Sequence, residues 1–323
     1  MRLLLCLLIL SLGNLATAME WQPYPSDLTQ FDYSGDKLKA NWDKLTMGTQ
    51  QEWPDEVFIK SMATAYPELK KNMLELAAKP NAHPAVKALL NDDFSPFAAA
   101  LQQAWRFHYE GKFEQAYNLG MQLGAAGSVP AIYSKLIHTT FLVHSPTDKL
   151  AIFQALADKA EQSLKLTPGY DFGEFGLLYA HARTLELLDT SAALSTGLLG
   201  STQNRLQELS ERHPKNSLFP TSYAGIQAGV VERVGSFVGR VTYGATASRA
   251  VEGFQQALEL QPNLPVIYNE FIVALKRINH KKHNILIQDL AAYCLTLTPY
   301  SAEEALNQAL CKSAYTQQDL VKN

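Results

Sequence analysis

The chain has 323 residues, a formal net charge of −3 and 47% apolar residues. That is enough to build a sizeable core, and the charge imbalance is too weak to select a polyanionic partner. No basic block points to nucleic acid, and the three cysteines form no Cys-x-x-Cys pair.

Residues 1–18 carry one positive charge, Arg2, then a short apolar run ending in Ala16-Thr17-Ala18. This is the layout of a cleavable secretory signal. The run falls short of the roughly 20 apolar residues of a membrane span, although an uncleaved anchor is the alternative. Cys6 lies inside the run rather than after it. The expected product therefore starts near Met19, lacks a lipid-attachment Cys and any membrane span, and is periplasmic or secreted.

Residues 19–95 show helical patterning near Asp36–Leu45, Glu56–Ala65 and Glu68–Ala78, with Trp21, Trp42 and Trp53 adding large apolar surface. Tyr66-Pro67, His83-Pro84 and Ser95-Pro96 read as helix starts, where the missing N–H of Pro costs nothing. The region is expected to form a helical cap on the first hairpin of the next region, or a lid over the groove.

From 96 to 300 apolar residues recur at three and four, punctuated by Pro and Gly, with no sustained alternation. Ala250-x3-Phe254-x2-Ala257-Leu258-x3-Pro262 places a small residue, an aromatic and a second small residue on one face. In Gly111-Lys-Phe113-Glu-Gln-Ala116, Gly111 permits a left-handed turn after one helix and Phe113 closes the next. Degraded copies end at Pro168, Pro214 and Pro299. The spacing predicts about five hairpins between Phe97 and Pro299. The Ser301-Ala-Glu-Glu304 capping box opens a C-terminal helix within 301–323 that would close the stack.

These strings resemble tetratricopeptide repeats. The expected fold is all-α: a solenoid of stacked helix-turn-helix pairs with an N-terminal helical cap and a C-terminal capping helix. The stretch Gly229 to Gly244, with Ala250 to Pro262 and Pro265-Val-Ile-Tyr268-Asn-Glu270, is more narrowly similar to the T-component proteins of tripartite ATP-independent periplasmic (TRAP) transporters. It is similar also to the related regulator-of-microtubule-dynamics proteins. That resemblance covers about the C-terminal hundred residues. It implies a periplasmic scaffold, in some cases oligomeric, with a cleft for a hydrophobic small ligand passed to a solute-binding partner. Many T-components are lipid-anchored, and this chain departs from them in lacking the anchoring Cys.

No Gly-x-Ser-x-Gly elbow, phosphate loop or His-Glu-x-x-His is present. His280-Lys-Lys-His283 reads as a solvated turn, and His138 and His144 as core or surface residues. No catalytic residue, metal ligand or cofactor is assigned. Binding is expected on the concave face, from Trp105, His108 and Tyr109 of the first repeat, Tyr179, Arg183, Tyr223, Gln227 and Arg233 in the middle, and Asn269 and Lys276 of the last. Leu101, Tyr133 and Val273 share that face. Packing between helices is the competing role for each aromatic. Peptide capture in an open groove, as an adaptor in envelope assembly, is the alternative function. Convergent carboxylates with perturbed ionisation would point to catalysis instead.

Gly225, Gly229, Gly235 and Gly239 stand in one helical run. They are expected to allow close approach of a neighbouring helix, or else of a ligand. Cys294 and Cys311 lie about five residues before and eleven after a turn at Pro299-Tyr300. At 1.5 Å per residue this separates them by about 9 Å along the helix axes. That exceeds disulfide reach unless the helices cross steeply, so two small core residues are expected.

Overall fold

The computed structural model describes residues 21–316, so the signal segment 1–18 and the tail beyond 316 lie outside the described residues. Helices and short connections account for the architecture, with no strand among the described residues. The N-terminal region holds α1 (Lys37–Ala40), α2 (Trp42–Leu45), α3 (Glu56–Ala65), α4 (Pro67–Ala77) and α5 (Pro84–Lys87). Hairpins come next: α6 (Ser95–Tyr109) with α7 (Phe113–Gln122), and α8 (Ser128–Leu142) with α9 (Pro146–Leu164). Beyond them, α10 (Asp171–Leu187) and α12 (Leu198–Arg212) flank the short α11 (Thr190–Ser195). Then come α13 (Leu218–Tyr243) with α14 (Ala247–Leu260), α15 (Pro265–Thr296) and the closing α16 (Ala302–Thr316). Among the described residues no helix is long and apolar enough to cross a membrane.

Local chemistry fixes these boundaries. Pro67, Pro84 and Pro96 stand at N1 or N2 of α4, α5 and α6. Asp55, Ser145, Asp189 and Thr246 accept backbone N–H groups at the starts of α3, α9, α11 and α14. Each such cap stabilises its helix by about 1 kcal/mol. Gly111 turns with φ 78°, as its place between α6 and α7 requires.

α15 is two helices end to end. Asn279 leaves helical geometry at φ −170°, ψ 91°, and its side-chain oxygen accepts the N–H of Lys282, starting the second arm. The arms run back on each other, because the rings of Tyr268 and Tyr293 stack with centroids 5.3 Å apart. This is the fifth hairpin. In the fourth, Ala250, Phe254 and Ala257 are fully buried, and Phe254 stacks on Phe271 of the next layer at 4.9 Å. Burying a side chain of that size contributes about 1.5–3 kcal/mol. The small-aromatic-small pattern is the seam between layers.

Two sequence expectations need correction. Cys294 and Cys311 form a disulfide, with Cα atoms 6.3 Å apart. The five residues 297–301 between α15 and α16 are long enough, at up to 3.3–3.6 Å each, to overshoot the end of α15. α16 therefore starts beyond it and brings Cys311 back level with Cys294. Counting from a turn at Pro299 missed this offset. Of the four glycines in α13, only Gly239 sits tightly against backbone, where an added Cβ would lie 3.2 Å from the Ala245 carbonyl. A Cβ at Gly225 or Gly235 would meet nothing within 4 Å. The close approach of α14 to α13 is made instead at Gly253, where an added Cβ would lie 2.9 Å from Ala224 Cβ. Gly235 has φ 78° and breaks α13 into two arms.

The stack closes on itself. The N-terminal helices pack as a cap on Phe97, Leu101 and Trp105 of α6. The segment after α2 then reaches the far layers: Asn216 Nδ2 donates to the Thr49 carbonyl at 3.2 Å, and Gly48 lies against Leu218 and Leu264. The region is thus both cap and lid. At the other end, the Tyr33 hydroxyl donates to the Tyr300 carbonyl and the Lys44 ammonium sits 5.1 Å from the Tyr300 ring centroid. Ala302 abuts Gly111 in the first hairpin. The start of the described chain is pinned by Trp21, whose ring lies 3.5 Å from the Lys135 ammonium, and by Gln22 N–H donating to His138 Nε2 at 2.9 Å.

Candidate ligand-binding cavity

Closure of the stack leaves a partly open cavity of about 120 Å³. Each hairpin layer contributes: Trp105, His108 and Tyr109 from α6, Tyr133 and Leu136 from α8, Phe175, Tyr179 and Arg183 from α10. Ile226 of α13, Glu270 of α15 and Glu303 of α16 complete the circuit, and Leu45 to Gln51 cover it. A second cavity of about 90 Å³ adjoins it between α10 and α13, sharing Ala182, Glu186, Gly225 and Ile226. An engineered apolar cavity of about 150 Å³ accepts benzene, so the first chamber alone is tight for one ring, and the two adjoining chambers together suit a ring with a short substituent.

Aromatic packing sets the wall. Trp105 stacks on Tyr109 at 5.6 Å and meets Trp42 and Tyr133 edge-on at 6.2 Å each. His108 is buried, its Nδ1 3.0 Å from the Ser134 hydroxyl. Burial pushes it down to about 3, so the ring is neutral. The Tyr179 hydroxyl pairs with Thr140 at 3.0 Å. Burial raises both Tyr133 and Tyr179, which stay protonated as donors.

The charged side of the wall holds four glutamates and one arginine, Arg183. Arg183 lies over the Tyr179 ring at 4.9 Å and is spoken for: it donates to Glu186 at 2.8 Å and to Glu270 at 2.5 Å. Glu186 also accepts from Arg277 at 2.9 Å. Burial works against ionisation of Glu186, but the two guanidiniums outweigh it and hold it down to about 2. Glu304 accepts the Tyr300 N–H at 2.7 Å while its own N–H donates to Ser301. The capping box forms with this reciprocal bond one residue earlier than expected. Burial raises Glu304 to about 8.

Glu303 is different. It is partly buried and lines the cavity. Its carboxyl makes no hydrogen bond or ion pair with any described residue; only its backbone carbonyl is used, by Asn307. Burial pushes it up to about 7, against the weaker pull of Arg183.

Of the residues proposed from sequence, Trp105, His108, Tyr109, Tyr179 and Arg183 line this cavity together, with Tyr133. Arg233 lines the second chamber, but its guanidinium donates to the carbonyls of Leu185 and Glu186, finishing α10. The other four lie outside both chambers. Tyr223 packs against the core of Phe175 and Leu206. Gln227 is fully buried with no partner for its amide among the described residues. Asn269 is buried and donates to Asn307 at 3.0 Å. Lys276 is half-buried on α15. Sequence reasoning missed Glu186, Glu270 and Glu303. Glu186 and Arg183, three apart on α10, carried a faint helical-pair signal. Glu303 was hidden in a capping box that explained its neighbour. The chain matches no family model, no curated protein and no solved structure.

Proposed function

We propose that this chain is an exported, non-enzymatic binding protein that holds a small, largely apolar molecule inside its ring of helices. Its setting would be solute transport in the periplasm, in the manner of the T-component proteins that its C-terminal part resembles, with hand-over to a solute-binding partner. The observation that carries this reading is the aromatic-lined cavity to which each hairpin layer contributes. Concave, mostly apolar sites with a few polar groups are the usual form of small-molecule sites. Gly225 adds support, because it borders both chambers and leaves open space where a side chain would stand. The peptide-adaptor alternative needs a long open groove, and residues 45–51 cross the place where it would run.

A catalytic reading has one observation in its favour, the raised carboxyls of Glu303 and Glu304 in a cavity. Glu304 is committed to the Tyr300 N–H and Glu186 to two arginines. That leaves Glu303 without a second free carboxyl to share acid and base roles. Binding is the better account. Native mass spectrometry of protein isolated from periplasm should show a co-purified small molecule, and Gly225→Phe, which fills the passage, should lose it. Equal mass with and without denaturation in both proteins would refute the reading. Recovery of the molecule chemically altered after incubation would favour catalysis.

A further inference from the structure

We infer that the cavity selects an organic cation, an aromatic or compact apolar molecule bearing one ammonium group, and that Glu303 is its counter-ion. This rests on the binding reading above and adds the sign of the ligand's charge.

Three observations carry it. The first is the balance of the wall, whose acidic groups outnumber its one arginine four to one. The second is that this arginine is saturated by Glu186 and Glu270, so an incoming anion would find no free cation and several carboxylates. The third is Glu303 itself, a partly buried carboxyl that lines the cavity and has no hydrogen-bond or ion-pair partner among the described residues. A partly desolvated carboxyl without a protein partner is stabilised by an arriving positive charge or donor. The rings suit the same ligand. Trp105, Tyr109, Tyr133 and Tyr179 line the chamber, and aromatic faces attract an ammonium within about 6 Å.

The binding step balances simply. With its raised pKa, part of the Glu303 population carries a proton near neutrality. The cation displaces that proton to solvent and the ion pair replaces the neutral acid. The groups facing Glu303 across the chamber are His108 and Tyr109 on α6, Tyr133 on α8, and Tyr179, Arg183 and Glu186 on α10. Glu270 on α15 and its neighbour Glu304 complete the set. His108 is already neutral, whereas Glu304, raised to about 8 and held by a backbone N–H, also keeps a proton in the neutral range, so loss of proton release in Glu303→Gln is what assigns the proton to Glu303.

The test is titration calorimetry on the full mature protein at about pH 7 with three probes sharing one ring: benzyltrimethylammonium, benzyl alcohol and phenylacetate. The quaternary probe cannot titrate, so any proton released comes from the protein. The cation should bind at least about tenfold tighter than the alcohol, phenylacetate should bind weakest, and the cation's heat should vary with buffer ionisation enthalpy. In Glu303→Gln, which mimics the neutral acid and so preserves the fold, the preference for the cation should vanish while the alcohol binds as before. If alcohol and cation bind equally to the parent, or Glu303→Gln keeps the preference, the assignment of charge is overturned and the cavity reading stands. If no probe binds and Gly225→Phe changes nothing, both are overturned.

Discussion

At the scale of single residues, burial decides chemistry that the sequence leaves blank. Glu303 and Glu304 adjoin in a capping box, yet only Glu304 performs the cap. Glu303 is turned inward, and its carboxyl is raised from 4.5 to about 7. A raised acid favours the folded state while it is neutral, so that contribution is complete below about pH 4.5 and is lost as pH climbs through about 7. Stability should therefore fall between about pH 4.5 and 7 with a slope of up to about 1.4 kcal/mol per unit. Denaturant titrations of Glu303→Gln should show that decline reduced, and an unchanged profile would refute the assignment. Gln227 makes the complementary case. Its fully buried amide is without a partner, a cost of about 1–3 kcal/mol. Gln227→Met keeps the volume and should raise the unfolding midpoint by a corresponding amount. Neither property could be read from the sequence, because helical spacing does not report what packs against each face.

At the scale of elements, pairing between helices was legible and their exact register was not. The Ala250, Phe254, Ala257 spacing fixed a buried face, and Pro262 fixed where α14 stops. The disulfide depended on the length of the link between α15 and α16, which helical periodicity does not report. Closing a loop of 17 residues is worth about 3 kcal/mol through the unfolded chain. The double variant Cys294→Ser, Cys311→Ser should lose about that much in urea unfolding, and exchange protection should drop first in α16. The break in α13 belongs to this scale too. Gly235 sits at φ 78°, ψ 164°, a region essentially open only to glycine, and Gly235→Ala should cost about 1–3 kcal/mol, readable as a lower thermal midpoint.

At the scale of the whole molecule, the closing of the ring sets how the stack behaves. An open solenoid couples only neighbouring layers and frays from its ends. Here Tyr33 and Lys44 hold Tyr300, and Thr49 accepts from Asn216, so first and last layers share contacts. Trp42, buried against Trp53, Trp105 and Tyr109, anchors the segment that makes them. Trp42→Ala should cost about 3–5 kcal/mol and should also lower hydrogen-exchange protection in α16. If the loss stayed confined to α1–α6, the two ends would be energetically independent.

The sequence by itself determined the helices, their stops at proline and glycine, the order of the hairpins and the aromatic character of the inner face, because each depends on spacing within about one or two turns. Only the tertiary structure decided that the two ends meet, that Glu303 faces a cavity while Tyr223 and Asn269 face neighbouring helices, and that Arg183 is already paired. Those outcomes depend on how small tilts between successive layers add up around the ring, and on groups brought together from 87 residues apart, as in Arg183 with Glu270. No local pattern records that sum.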